Sequence, residues 1–215
     1  MMKRKMTNKD IHSQLIESIA PDVYGFKIIK ESILLQLFGE NINILIVGDP
    51  SIAKSRILES ISRLNSKVKC IDNLHRLSDK EKDRLLNKIE KEKISILASA
   101  NPKLGRFDPY APITEQIDIP PYLLSSFDLI FVIRDLPNKA QDEAIASYIL
   151  GERHKPEETT KKEILIKHLA NAKTKPELTK EAIDEIKAFY IRLRNPPMKK
   201  SSEIMPIVIT ARQLQ

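Results

Sequence analysis

The chain has 215 residues, 41% of them hydrophobic, and 36 Lys and Arg outnumber 29 Asp and Glu to give a net charge of +7. This is the size of one ordinary domain, or of a core with a small second domain, and the composition of a globular, soluble protein. A single cysteine, Cys70, excludes an internal disulfide and a cysteine-based zinc site, and no apolar run reaches the length of a membrane span.

The N-terminal "MMKRKMTNKD" has no apolar stretch behind its charges, so it is not a signal peptide, and a cytosolic location is expected. The histidines His12, His75, His154 and His168 are scattered without ligand spacing, read as surface or packing residues, and no structural metal is expected. The charges alternate along helical stretches such as "SDKEKDRLLNKIEKEK", the pattern of solvated faces with i,i+4 pairs. The net charge of +7 suits a partner with phosphates, but by itself it is weak evidence for a nucleic acid.

In chain order, "NKDIHSQLIESIAP" places Ile11, Leu15, Ile16 and Ile19 on one helical face, and "KIIKESILLQLFGE" predicts a second, more apolar helix. "INILIVG" is an apolar run without alternation, as expected of a parallel strand covered on both faces. A short loop leads into the helix "AKSRILESISRL". "VKCID" predicts a second strand ending in an acid. Ser78 and Glu81 have capping-box spacing before a helix that buries Leu85, Leu86 and Ile89. "ISILASANP" and "DLIFVIRDLP" predict two further strands. Short apolar strands alternating with helices mean an α/β domain with a mostly parallel sheet of about four strands.

From about residue 138 only helical patterns remain. The last carries Ile183, Ile186, Tyr190 and Leu193 on one face, with Thr179 placed to cap its start. A Pro- and Lys-containing loop and the start of one more helix in "PIVITARQLQ" close the sequence. The organisation read is an α/β core over 1–137 and a small all-helical domain over 138–215.

Ligands of parallel sheets sit beyond the carboxyl ends of the strands, where Asp49, Lys54, Ser55, Asp72 and Asn101 all fall. "GDPSIAKS", residues 48–55, keeps the Gly, Lys and Ser register of a phosphate-binding loop, with Ala53 where a second glycine is usual. Such a loop aims backbone N–H groups inward, supplies a lysine for the β- and γ-phosphates, and offers a hydroxyl to Mg²⁺ at a helix N-terminus. The candidate nucleotide-binding residues are Gly48, Asp49, Pro50, Ser51, Ile52, Ala53, Lys54 and Ser55, for ATP, with Ser55 and Asp72 for Mg²⁺. The same segments would also serve as a strand-to-helix turn that binds nothing, with Asp72 as a helix cap and Asn101 as a turn starter before Pro102.

Several segments together resemble the minichromosome maintenance (MCM) helicases, a branch of the AAA+ ATPases. They are "DVYGFKIIKESILLQLFGE" before the loop, "NILIVGDPSIAKS" as Walker A and "CIDN" as Walker B. The long "ASANPKLGRFDPYAPITEQIDIPPYLLSSFDLIFVIRD" resembles sensor 1 and the run after it, and "ITARQL" the sensor 2 motif. The resemblance implies an AAA+ P-loop core with a helical lid, Asn101 as sensor 1, and Arg212 as a sensor 2 arginine serving a neighbouring subunit. Ala53 is ordinary for the family, whereas Ser51 stands where the family has glycine.

Three departures bear on activity. Asn73 occupies the place of the family's catalytic glutamate, and losing a general base costs about 10²–10⁴ in rate. Ser126 occupies the place of the arginine finger, worth roughly 10³–10⁵; Arg106 and Arg134, nearby in sequence, are poor substitutes. The segments that carry the family's hairpins, one with a DNA-contacting lysine, are shortened, and the family's N-terminal domain is absent from this sequence.

The expectation is an MCM-like protein that binds ATP and Mg²⁺, hydrolyses ATP poorly and has no helicase activity alone. Its expected partners are full-length MCM or other replication proteins, with DNA at most a weak partner. It would be a monomer or part of a mixed ring rather than an active homohexamer, cytoplasmic or nucleoid-associated. A non-enzymatic scaffold for replication proteins and an unorthodox active ATPase are the alternatives.

Overall fold

A computed structural model of the chain describes residues 8–39, 41–64, 68–92, 94–152, 163, 165–169 and 178–195. Two helices, α1 (Asn8–Glu17) and α2 (Lys27–Phe38), lead into β1 (Ile44–Gly48) and α3 (Lys54–Ser62). Next come β2 (Lys69–Ile71), a 3₁₀ turn over Leu74–Arg76, α4 (Asp79–Glu92) and β3 (Ile96–Ala100). A second 3₁₀ turn (Ile113–Gln116) and the single-turn α5 (Pro121–Leu124) precede β4 (Leu129–Ile133). Beyond it lie α6 (Lys139–Glu152), helical residues 165–169 and α7 (Lys180–Arg194).

The four strands form one sheet in the order β2-β3-β1-β4, and every neighbouring pair is parallel. The sequence reading of a parallel sheet of about four strands holds. The unbroken apolar run of β1 has its cause in this order: β1 and β3 are the inner strands and are buried at every residue, while β2 and β4 at the edges are only partly covered.

Successive side chains of a strand point to opposite faces. Ile44 and Ile46 of β1 join Leu15, Ile33, Ile57 and Ile61 from α1, α2 and α3, with Ile19 from the turn after α1, on one face. Leu45 and Val47 join Leu74, Leu85, Leu123 and Phe127 on the other. Each such large side chain contributes about 1.5–3 kcal/mol by leaving water, so the two layers fix the sheet between them.

Polar groups lock the ends. Buried Lys30 of α2 donates to the carbonyls of Ala20 (3.0 Å) and Val23 (2.6 Å), tying α2 to the turn after α1. Asn43 anchors the amino end of β1: its side chain accepts from the Ile96 N–H and donates to the Ser126 carbonyl. Its backbone N–H donates to the Asp128 carboxylate. At α4, the Glu81 carboxylate accepts from both the N–H and the hydroxyl of Ser78, half of the expected capping box; the Glu81 N–H goes to the Ser78 carbonyl instead of its hydroxyl.

Every described residue assigned to an element beyond 138 is helical. Thr179 caps α7 as its sequence predicts, accepting from the Ala182 N–H at 3.3 Å. The apolar face of α7 is less covered than its pattern implies, Ile183 and Ile186 each being 37% exposed. The expected loop around Pro196 and Pro197 and the "ITARQL" stretch with Arg212 lie outside the described residues. Among the described residues no helix is long and apolar enough to cross a membrane, and no group of three His, Cys, Asp or Glu could hold a metal ion.

Candidate nucleotide-binding site

The strand order places the loop after β1 between the ends of β3 and β4, with Asp72 after β2 one strand further out. Four chain segments far apart in sequence thus meet at the carboxyl ends of the strands. The loop itself is shaped by two left-handed residues, Ser51 (φ 68°) and Ala53 (φ 65°), the second standing directly before α3. Alternation of this kind turns successive N–H groups towards one concave side, where an anion binds. Gly48 is required for another reason: a Cβ there would lie 2.4 Å from Ile52 Cδ1 and 3.0 Å from the Ile133 carbonyl oxygen.

Lys54 is 7% exposed and folds back on the loop, donating to the carbonyls of Gly48 (2.7 Å) and Asp49 (2.6 Å). Burial pulls its pKa below the ordinary lysine value, and the charges of Asp49 and Asp72 resist that pull. The ammonium is held at the loop, with its charge opposed only in part.

Asp72 faces it across the site. Its Oδ1 accepts from the Asn73 N–H at 3.0 Å and from the Ser99 hydroxyl, and Ser55 also bonds to the carboxylate. Burial acts to raise its pKa, but those hydrogen bonds and the Lys54 charge outweigh it and hold the carboxyl below its usual value. A carboxylate and a hydroxyl at a helix N-terminus fit a divalent cation that takes its other ligands from phosphate and water. The arrangement suits a phosphate-bearing ligand with a divalent cation, and Ser55 and Asp72 are the residues that could hold the ion.

Asp49 has a different task from the one its position suggests. Its Oδ1 accepts from the Phe107 N–H and its Oδ2 from the Asp135 N–H, each at 2.8 Å. Both oxygens are thus used to join the loop to the segments after β3 and β4. Pro50, Ser51, Ile52 and Ala53 supply the loop backbone rather than side-chain chemistry.

Asn101, just after β3, stands next to the site, and its N–H donates to His75 Nδ1 at 3.2 Å. Asn73 adopts a left-handed conformation (φ 56°, ψ 48°) which asparagine tolerates well, and an amide there cannot take a proton from water. Ser126 is not at this site. Its hydroxyl donates to Leu123 O and its carbonyl accepts from Asn43, at the amino end of β1, roughly 17 Å from the loop at about 3.3 Å per strand residue. Arg134 sits at the end of β4 with its guanidinium over the Phe107 ring, 5.9 Å from the centroid, while Arg106 is exposed.

Two residues escaped the reading of the sequence. Ser99, fully buried in β3, faces Asp72 because the β2–β3 register pairs Ile71 with Ala98; a lone serine between apolar strand residues was the one signal of it. His75 has no ligand spacing in the sequence, yet one 3₁₀ turn carries it back to the strand ends. Burial, then Arg76 and Lys54, lower its pKa against the opposing charges of Asp118 and Asp72. Its spacing of three from Asp72 was the only sequence hint.

Comparison with known proteins accords with this geometry. The MCM P-loop domain model matches residues 1–71 and 64–153, two segments that overlap from just after α3 through β2. The chain is 30% identical to the Minichromosome maintenance protein MCM of Saccharolobus solfataricus over 95% of its own length and 40% of that protein's. It is 27% identical to the DNA replication licensing factor MCM4 of Arabidopsis thaliana, over 96% of this chain and 33% of the relative. The chain thus spans no more than about 40% of these relatives. The first alignment runs to 279 positions against 215 residues, so the relative has segments with no counterpart here.

Proposed function

The chain belongs to the MCM family, and from that premise we propose that it binds ATP with Mg²⁺ at its P-loop but turns it over poorly by itself. One observation carries the binding half: Lys54, Ser55 and Asp72 converge on a loop whose backbone is curved for an anion. Nucleotide phosphates would draw Lys54 off the Gly48 and Asp49 carbonyls and take its charge. The cation, when bound, offsets phosphate charge; this chain's part is to hold it through the Ser55 hydroxyl and the Asp72 carboxylate.

The impaired half rests on Asn73 and Ser126. An amide at position 73 leaves the attacking water without a side-chain base. Ser126 lies at the amino end of the sheet, away from this chain's own loop, and in a ring it would bring no positive charge to a neighbouring subunit's site. The chain would then lend its P-loop to a mixed ring with full-length MCM or other replication proteins and offer no finger in return, without unwinding DNA alone.

A second reading has its own support. Lys54 is already satisfied by two carbonyls, as it would be in a scaffold that keeps the fold and binds no nucleotide. Isothermal titration with Mg-ATP, with phosphate release measured on the same sample, separates the two. Saturable binding that disappears in Lys54→Ala, with turnover at background, is expected. No heat at millimolar nucleotide would leave the scaffold reading; rapid turnover would overturn the claim of impaired hydrolysis.

A further inference from the structure

The edge of the sheet remote from β4 is formed by β2, and no described strand lies beyond it. The Lys69 N–H is spent on the Ser95 carbonyl at 2.9 Å, on the β3 side. Backbone groups alternate sides along a strand, so the N–H and C=O of Cys70 point outwards. An open edge of this kind is a template for another strand.

Beside that edge runs a groove of about 540 Å³ between β2 and α4. Its floor is aliphatic, formed by Ile71, Leu77 and Leu85. Its rim is basic: Lys69, Arg84, Lys88 and Lys91 line it, and none has a carboxylate within 4 Å among the described residues. The lining holds two acids against these four cations: Glu81, engaged by the Ser78 N–H and hydroxyl and by the charge of Arg84, and Glu92.

We propose that this groove docks an extended, acidic segment of a partner protein, which adds as a strand along β2. The outward-facing N–H and C=O of Cys70 would pair with the segment's main chain. An aliphatic side chain directed towards α4 would cover Ile71 and Leu85, and carboxylates two residues to either side would reach the lysines. A nucleic acid is also anionic, but bases need aromatic platforms, and no aromatic residue lines this groove. An aliphatic floor next to unpaired strand groups suits a peptide, by the mode in which main-chain bonds give affinity and alternate side chains give specificity. The inference is independent of whether the P-loop binds nucleotide.

The probe is a labelled seven-residue peptide with valine at its centre, glutamate two residues to either side and serine elsewhere, monitored by fluorescence anisotropy. Saturable binding is expected, with slower hydrogen exchange at the Cys70 amide. Lys88→Glu with Lys91→Glu, both exposed on α4, should weaken it about tenfold while leaving the melting temperature unchanged; Lys69→Glu is the independent second variant. Replacing the serines beside valine by proline should abolish binding. An affinity unaltered by both charge reversals, or no binding at millimolar peptide, overturns the proposal. So does an oligothymidine that binds more tightly than the peptide with the same dependence on Lys88 and Lys91.

Discussion

Asp49 and Asp135, 86 residues apart, are joined by a hydrogen bond: the Asp135 N–H donates to Asp49 Oδ2 at 2.8 Å. With Phe107 on its other oxygen, the Asp49 carboxylate couples the phosphate-binding loop to the segments that leave β3 and β4. Asp49 is only 5% exposed and its bond to Phe107 is buried, so the Phe107 N–H has no water as a ready replacement. Removing an acceptor from a buried donor costs about 1–3 kcal/mol. Asp49→Ala should therefore lower unfolding free energy by about 2 kcal/mol or more in urea titrations, and Asp49→Asn, which retains one acceptor oxygen, by less. Equal stability of Asp49→Ala and the parent would show that the junction is held by other means.

Ser51 is in the left-handed region at φ 68°, where a side chain costs about 1 kcal/mol relative to glycine. Ser51→Gly removes that cost, offset in part by the greater freedom of glycine in the unfolded chain. A small rise in stability is expected, with nucleotide affinity equal to the parent's or higher. Gly48→Ala should act oppositely, since its new Cβ meets the Ile133 carbonyl oxygen at 3.0 Å. Thermal melts of the two variants moving in the same direction would contradict this account of the loop.

The Asp72 carboxyl has its pKa lowered in the fold from an ordinary value of 3.8: burial opposes the shift, and the hydrogen bonds of Ser99, Ser55 and Asn73 prevail. A carboxylate with a depressed folded pKa stabilises above its unfolded pKa, and that stability is lost as pH falls through the folded value. Ser99→Ala deletes one of the bonds and should raise the Asp72 pKa. Asp72 then contributes less stability than in the parent, and what it contributes is fully lost at a higher pH, nearer the unfolded value. Carboxyl titration by NMR checks this, and an Asp72 midpoint unchanged in Ser99→Ala would refute it.

Asn73→Glu returns a proton acceptor to the end of β2. If the missing base limits turnover, phosphate release should rise by about 10²–10⁴, with nucleotide affinity little changed. The left-handed backbone at Asn73 (φ 56°) makes the variant slightly less stable, by about 1 kcal/mol. Saturating Mg-ATP with no gain in turnover would move the defect elsewhere, with Ser126 the first place to look.

The sequence by itself determined much of this protein. Runs such as "INILIVG" can be buried on both sides only in a parallel sheet with helices on each face, and the Gly48, Lys54 and Ser55 register marks the strand-to-helix turn. Local chemistry of this kind depends on neighbours a few residues away, and it is legible for that reason. Tertiary structure alone decided which polar groups meet. Asp49 looks like a ligand in "GDP" but is held by N–H groups 58 and 86 residues on. Ser99 looks like a packing residue until the β2–β3 register sets it on Asp72, and His75 looks incidental until a 3₁₀ turn brings it beneath Asn101. Strand order and register are set by the closure of the whole core on both sheet faces, and no short window of sequence contains that information.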